Sequence, residues 1–190
     1  MGITGASGAI YADRFVRRAA NHYNRIHLIV TDQAVEVFST ELCRDVSKAN
    51  LSVQSLFGQN VQNVELVQQN QFFTPPASGS YACDGMVIVP CSMGTLGRIA
   101  NGISNDLMTR AADVALKESR KLILVPRESP LNLIMVRNMA AVIEAGATLI
   151  PAMPAWYHRP SNLDELADTV VARIFQHLDL PREFAPEWMV

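Results

Sequence analysis

At 190 residues, with 49% of them apolar and 18% charged, the chain is long enough to bury a sizeable core, and one compact domain is expected. A formal net charge of −2, with Lys and Arg scattered along the chain, leaves no basic footprint for nucleic acid or an anionic membrane. No apolar run approaches the roughly 18 residues of a bilayer span, and three widely spaced cysteines, Cys43, Cys83 and Cys91, suit a reducing cytoplasm better than a disulfide scaffold or a zinc site.

The chain opens on MGITGASGAI, a GxxGxxG spacing from Gly2 to Gly8 that reads as a strand-to-helix turn presenting a phosphate to a helix N-terminus, although only Met1 to Ile3 stand before it. A helix is expected over about 8–22, then a strand at 26–30 (IHLIV), a helix at 33–43, a strand at 64–67 (VELV) and a polar loop at 68–80. The second half continues with a strand at 85–90 (GMVIVP), helices at 93–102 and 106–119, a strand at 121–126 (KLILVP), a helix at 131–145, a strand at 147–151 (ATLIP) and a helix at 163–178. This alternation predicts an α/β fold: a three-layer, doubly wound parallel sheet, flavodoxin- or Rossmann-like, in a single domain. Ligands of such sheets sit at the carboxyl ends of the strands.

The residues at those ends are Gly5-Ala6-Ser7-Gly8, Thr31-Asp32, Cys91 to Thr95 (CSMGT), Arg127-Glu128 and the stretch PAMPAWYHRP. Ser7, Thr31 and Ser92 each read as a helix cap on their own, and together as a cradle for one phosphate. Asp32 stands about where a dinucleotide site would carry its ribose-binding acid, yet the glycine spacing is not GxGxxG, and no GKS or GKT ending supports nucleotide triphosphate chemistry. On a helical wheel of 33–43, Glu41 falls within the apolar arc of Ala34, Val35, Val37, Phe38 and Leu42. A carboxylate there is paired, used, or turned out to water at the helix end. Arg110 and Lys117 share one stripe with Asp113 nearby, which is either a solvated salt-bridge face or an anion seat. Arg173 lies at the edge of the apolar stripe Leu163, Leu166, Val170, Val171, Ile174 and Leu178, able to reach a cleft or solvent.

Together the segments GITGASGA, PPASGS, VPCSMGTLGRIANG, LMTRAADVALKE, LVPRESPL, NMAAVIEAGA, IPAMPAWYHRP and VVARI resemble the UbiX-type flavin prenyltransferases, in the family's order and over about 1–180, leaving 181–190 as a tail. The resemblance implies a cytoplasmic homododecamer that binds FMN between subunits and joins a dimethylallyl group to N5 and C6 of the reduced flavin. The prenylated FMN then serves a UbiD-type decarboxylase, and an older name for such proteins is aromatic acid decarboxylase.

Residue by residue, Gly5, Ala6 and Ser7 match the first FMN loop, Thr31 stands where the family usually has Ser, and Ser92, Met93, Gly94 and Thr95 match the second loop. Arg127 matches a flavin-contacting arginine and Glu128 the catalytic acid, with Glu41 a second carboxylate working with the Ser7 hydroxyl. Lys117, Tyr157 and Arg173 match the residues that hold dimethylallyl phosphate, joined by Arg110 from a neighbouring subunit.

Phe72 replaces a family Trp, Met135 replaces a frequent His, and relatives carry several apolar residues before the first loop, so by this comparison the chain starts late. The sequence lacks a DDxxD run for magnesium pyrophosphate, which fits a monophosphate donor and metal-independent chemistry. A phosphopantothenoylcysteine-type decarboxylase would carry an active-site His and a PxMNxxMW signature that are missing, and a plain flavin carrier would need neither Glu41 nor Glu128.

Overall fold

In the computed structural model, which describes residues 1–184, six strands form one all-parallel sheet. They are β1 (Gly2–Ile3), β2 (Ile26–Val30), β3 (Val64–Val67), β4 (Met86–Cys91), β5 (Leu122–Pro126) and β6 (Thr148–Leu149), in the order β3-β2-β1-β4-β5-β6. The helices are α1 (Ala9–Ala19), α2 (Asp32–Glu41), α3 (Val53–Phe57), α4 (Met93–Ala100), α5 (Leu107–Lys117), α6 (Leu133–Glu144) and α7 (Leu163–His177). The doubly wound expectation holds. Of the expected tail 181–190, residues 185–190 lie outside the described residues.

Successive side chains of a strand point to opposite faces, so apolar runs feed two cores. Ile3, Leu28, Val30, Val87, Val89, Ile123 and Val125 pack in one core with α1, α7, Phe38 of α2 and Phe57 of α3. Ile29, Ile88, Leu122 and Leu124 pack in the other with α4, α5 and Val142 of α6.

Several element ends differ from expectation. α1 stops at Ala19 rather than 22, because Asn21 and His22 donate to Arg18 and Ala19 in tight i→i+3 turns. The sequence reading missed α3, five residues started by a Ser52–Ser55 capping box and too short to show a helical period. The 147–151 strand shrinks to Thr148–Leu149. In α7 the predicted core stripe runs from Val170 to Ile174, while Leu163 is exposed.

Two features shape the carboxyl end of the sheet. Pro90 brings no N–H to the ladder, and β4 slips register against β5 between Ile88 and Cys91, a bulge that admits a proline into a central strand. Thr4, just past β1, bridges the gap: its buried hydroxyl donates to the Pro90 carbonyl (2.9 Å) and accepts from the Ser92 N–H (2.7 Å). On the α1–α7 side, buried Asp168 takes two bonds from each of Arg14 and Arg18, tying the two helices together.

Candidate active site

The strand order reverses between β1 and β4, the place where the loops of an open α/β sheet diverge and leave a crevice. A cleft of about 520 Å³ lies there, within the usual range for small-ligand sites. One wall is Gly5, Thr31 and Gln33; another is the first turn of α4, with Ser92, Gly94 and Thr95; Thr4, Gln69, Arg98 and Asp106 complete it. Gly5 permits the first wall to close, since a Cβ there would stand 2.3 Å from the Gln33 Cβ. A Cβ on Gly94 would meet nothing within 4 Å, so that turn faces open space. A second cavity, of about 560 Å³, opens at the opposite end of the strands around Met1, His27 and Met86, away from these loops.

Thr31 and Ser92 cap their helices, as read from the sequence, and also face the cleft. The Thr31 hydroxyl accepts from Ala34 N–H at α2 and the Ser92 hydroxyl from Thr95 N–H at α4, while both residues line the cleft. Gly5, Gly94 and Thr95 line the cleft with them, whereas Ala6, Ser7 and Met93 are not among the lining residues. Met93 is buried in the second core, which leaves its side chain to packing. Asp32 is exposed and paired with Lys48, 2.7 Å away.

For Glu41 the structure selects the paired reading, at the end of its helix. Its side chain is not held in an apolar core: the residue is exposed at the last position of α2 and reaches to the start of α1, accepting from Gly8 N–H (2.9 Å) and Ala9 N–H (2.8 Å). Gly8, the N-cap, has no side chain of its own to do this, so the carboxylate meets two orphan amides and the positive end of the α1 dipole.

Arg127 and Glu128 emerge from the end of β5, both exposed and outside the cleft lining. Arg127 N–H donates to the Cys91 carbonyl (3.3 Å), and the Glu128 carboxylate accepts from Ser129 N–H (3.0 Å). The Tyr11 phenol lies within the field of Arg127 and Glu41; burial raises its pKa, Arg127 lowers it and Glu41 raises it.

The four residues matched to the allyl phosphate site do not meet in this cleft. Arg110 pairs with Asp113 at 2.8 Å and Lys117 with Glu118, so within one chain the salt-bridge reading of that stripe holds. Arg110 also donates to the Ala77 carbonyl, and Lys117 Nζ would lie 2.8 Å from a Cβ on Gly79, so both border the PPASGS turn. Arg173 is exposed and bonds Gln176, and Tyr157 is exposed and lies against His158 with ring centroids 4.2 Å apart. Phe72 is exposed, while Met135 packs on the second core.

Sequence reading missed Thr4, Gln33, Gln69, Arg98 and Asp106. Arg98 was detectable, since Thr95 and Arg98 follow Ser92 at three-residue steps. Its guanidinium bonds Asp106, Asn105 (2.8 Å) and Thr95 (3.3 Å). Burial works against ionisation of Asp106, but bonds from Thr109 N–H and Arg98 outweigh it and hold the carboxyl below its ordinary 3.8. The three cysteines are free, and burial pushes the Cys91 thiol up to about 12. Among the described residues no helix is long and apolar enough to cross a membrane, and no His, Cys, Asp and Glu cluster is arranged to hold a metal ion.

A doubly wound parallel sheet with a polar cleft at its switch point is a mononucleotide- or dinucleotide-binding architecture. The family model described as Flavoprotein matches residues 1–175. Flavin prenyltransferase UbiX of Halalkalibacterium halodurans is 42% identical over 99% of this chain and 91% of its own, and that of Pseudomonas aeruginosa 40% identical over 99% and 92%. The chain belongs to the flavoprotein family and, within it, to the UbiX flavin prenyltransferases. A crystal structure of AnUbiX (PadA1) in complex with FMN and dimethylallyl pyrophosphate superposes with a TM-score of 0.88 at 35% identity, covering 100% of this chain and 95% of that one. A dodecameric FMN-dependent Ubix-like decarboxylase from Escherichia coli O157:H7 superposes with a TM-score of 0.86, also at 35% identity, covering 100% and 97%.

Proposed function

We propose that the protein is a flavin prenyltransferase that joins a dimethylallyl group to N5 and C6 of reduced FMN, delivering prenylated FMN to a UbiD-type decarboxylase. The observation that carries this reading is the near full-length relation to flavin prenyltransferases, together with a polar cleft at the switch point of the sheet. The residues present fit the cofactor: hydroxyls of Thr31, Ser92 and Thr95, open space before Gly94, and one guanidinium suit a polar, phosphorylated ligand. Gly5, Ala6, Ser7, Thr31, Ser92, Met93, Gly94, Thr95 and Arg127 would hold it. Bound reduced FMN supplies the electron-rich ring that accepts the allyl group.

Breaking an allylic C–O bond leaves negative charge on phosphate, which needs donors in a site closed to water. Lys117, Tyr157 and Arg173, with Arg110 of a neighbouring subunit, take that role in this reading, Glu128 moves a proton, and Glu41 acts with the Ser7 hydroxyl. None of the four donors lines the cleft of a single chain, so this reading requires a subunit junction to bring the two sets together, and the dodecameric Ubix-like relative supplies a precedent for one. The outer face of α6 carries exposed Leu133, Ile134, Val136 and Ile143, an apolar surface that a homo-oligomer, a dodecamer in this reading, would cover. Two exposed free thiols, Cys43 and Cys83, suit a reducing cytoplasm.

The test is a mass spectrum of the flavin after anaerobic incubation with reduced FMN and either dimethylallyl phosphate or the pyrophosphate. The expected result is a flavin heavier by one prenyl group with the monophosphate, slowed roughly 10²- to 10⁴-fold by Glu128→Gln with FMN affinity intact. Unmodified flavin with both donors overturns the function; a Glu128→Gln rate within about threefold of wild type removes that residue from the reaction.

A further inference from the structure

We propose that Arg98 is the residue by which the cleft distinguishes a phosphorylated flavin from an unphosphorylated one. The inference rests on FMN being the ligand and adds a residue that the sequence reading did not assign. The positive end of α1, where a glycine-rich turn normally presents its phosphate, is already occupied by the Glu41 carboxylate on Gly8 and Ala9. The phosphate's place in the crevice is then the first turn of α4, where Ser92, Gly94 and Thr95 line the cleft, and the full charge that meets it there must come from a side chain. Among the residues lining the cleft Arg98 is the sole cation and Asp106 the sole anion; the rest are hydroxyl, amide and glycine groups.

Those neutral groups can bond phosphate oxygens as well as the ribityl and ring groups of the flavin, but they carry no full charge, and the phosphate is the flavin's one strongly charged part. A phosphate dianion withdrawn from water without a cation is costly, so Arg98 is its partner.

The geometry fits that task. Three of the five guanidinium N–H groups are used, two of Nη1 on Asp106 and Asn105 and one of Nη2 on Thr95. That leaves Nε–H and one Nη2–H without a partner among the described residues, two charged donors available to phosphate oxygens. The group is also held in place. Asp106 caps α5 through Thr109 N–H (2.8 Å), and Thr95, on the other side, accepts from the Ser92 hydroxyl (3.1 Å). Asp106 therefore opposes the phosphate by charge while fixing the arginine that binds it.

Fluorescence titrations with FMN and with riboflavin test this on the intact protein. Arg98→Gln is expected to weaken FMN about 10- to 100-fold and riboflavin less than about threefold, with Arg98→Lys restoring part of the FMN affinity. Asp106→Asn keeps a capping side chain and removes the opposing charge, so FMN should bind at least about threefold tighter and riboflavin unchanged. Equal weakening of both flavins by Arg98→Gln, or no change in FMN, overturns the assignment. Should Arg98→Gln fail to fold, an FMN affinity unaltered by Asp106→Asn overturns it instead. Wild-type protein that binds neither flavin sinks the functional reading as well, whereas FMN binding that ignores both substitutions sinks this inference alone.

Discussion

Replacing Glu41 by Ala should cost stability in proportion to the helix cap it removes. In the folded chain one carboxylate serves Gly8 N–H and Ala9 N–H across 33 and 32 residues of sequence, and the N-cap Gly8 has no side-chain substitute. Losing an N-cap acceptor costs about 0.5–2 kcal/mol. The charge facing the helix dipole adds about 0.3–1 kcal/mol. Glu41 is exposed, so water can reach the abandoned amides, which places the total for Glu41→Ala at about 1–2 kcal/mol. For a domain of this size that corresponds to a midpoint lowered by about 2–8 °C. Glu41→Gln keeps an acceptor and loses only the charge, so its loss should be about 0.3–1 kcal/mol. Thermal unfolding followed by circular dichroism, with urea titration as a second probe, separates the two variants. A Glu41→Ala protein as stable as wild type within about 0.3 kcal/mol would show that the carboxylate does not cap α1, leaving only its proposed part in prenyl transfer.

Two further outcomes rest on buried charge. Asp168→Asn leaves Arg14 and Arg18 without their shared carboxylate at the α1–α7 contact; both arginines keep a fifth to a quarter of their side chains in water, so the loss should be about 3 kcal/mol, the low end for a broken buried pair, read from urea unfolding. Burial pushes the His27 pKa below its ordinary 6.5, with exposed Glu65 pulling it up and the amino terminus and Arg25 lowering it. The unfolded chain therefore binds a proton that the folded one does not, and stability, fully present above pH 6.5, should fall as pH drops from 6.5 towards the folded value. His27→Gln should flatten that limb of a plot of unfolding midpoint against pH, and an unchanged slope would assign it to other groups.

Much of the fold is legible without coordinates because burial pattern is local. A strand covered on both faces must be apolar at nearly every position, and IHLIV, MVIVP and LILVP announce three of the six strands in that way. Strand β6, with two residues, carries too little pattern to bound, and α3 is set by its Ser52 cap rather than by a period. Within the site, Thr31 and Ser92 are readable for the same local reason: each stands between the end of a strand and a helix, where a hydroxyl caps and a ligand approaches.

The sequence by itself determined the alternation of strand and helix and the identity of the loops at the carboxyl end of the sheet. Only the tertiary structure decided which distant groups meet, because those meetings follow from strand order and not from neighbours in the chain. Thr4 reaches Pro90 and Ser92 across 86 and 88 residues only because β1 lies beside β4. The wheel placed Glu41 correctly on α2 and left its partner open, since an angle within one helix cannot reveal that the start of α1 stands opposite its end. Arg98 likewise reads from sequence as one more helical cation, and becomes the single positive charge of the cleft because the packing of α4 beside α5 sets Asp106 against it.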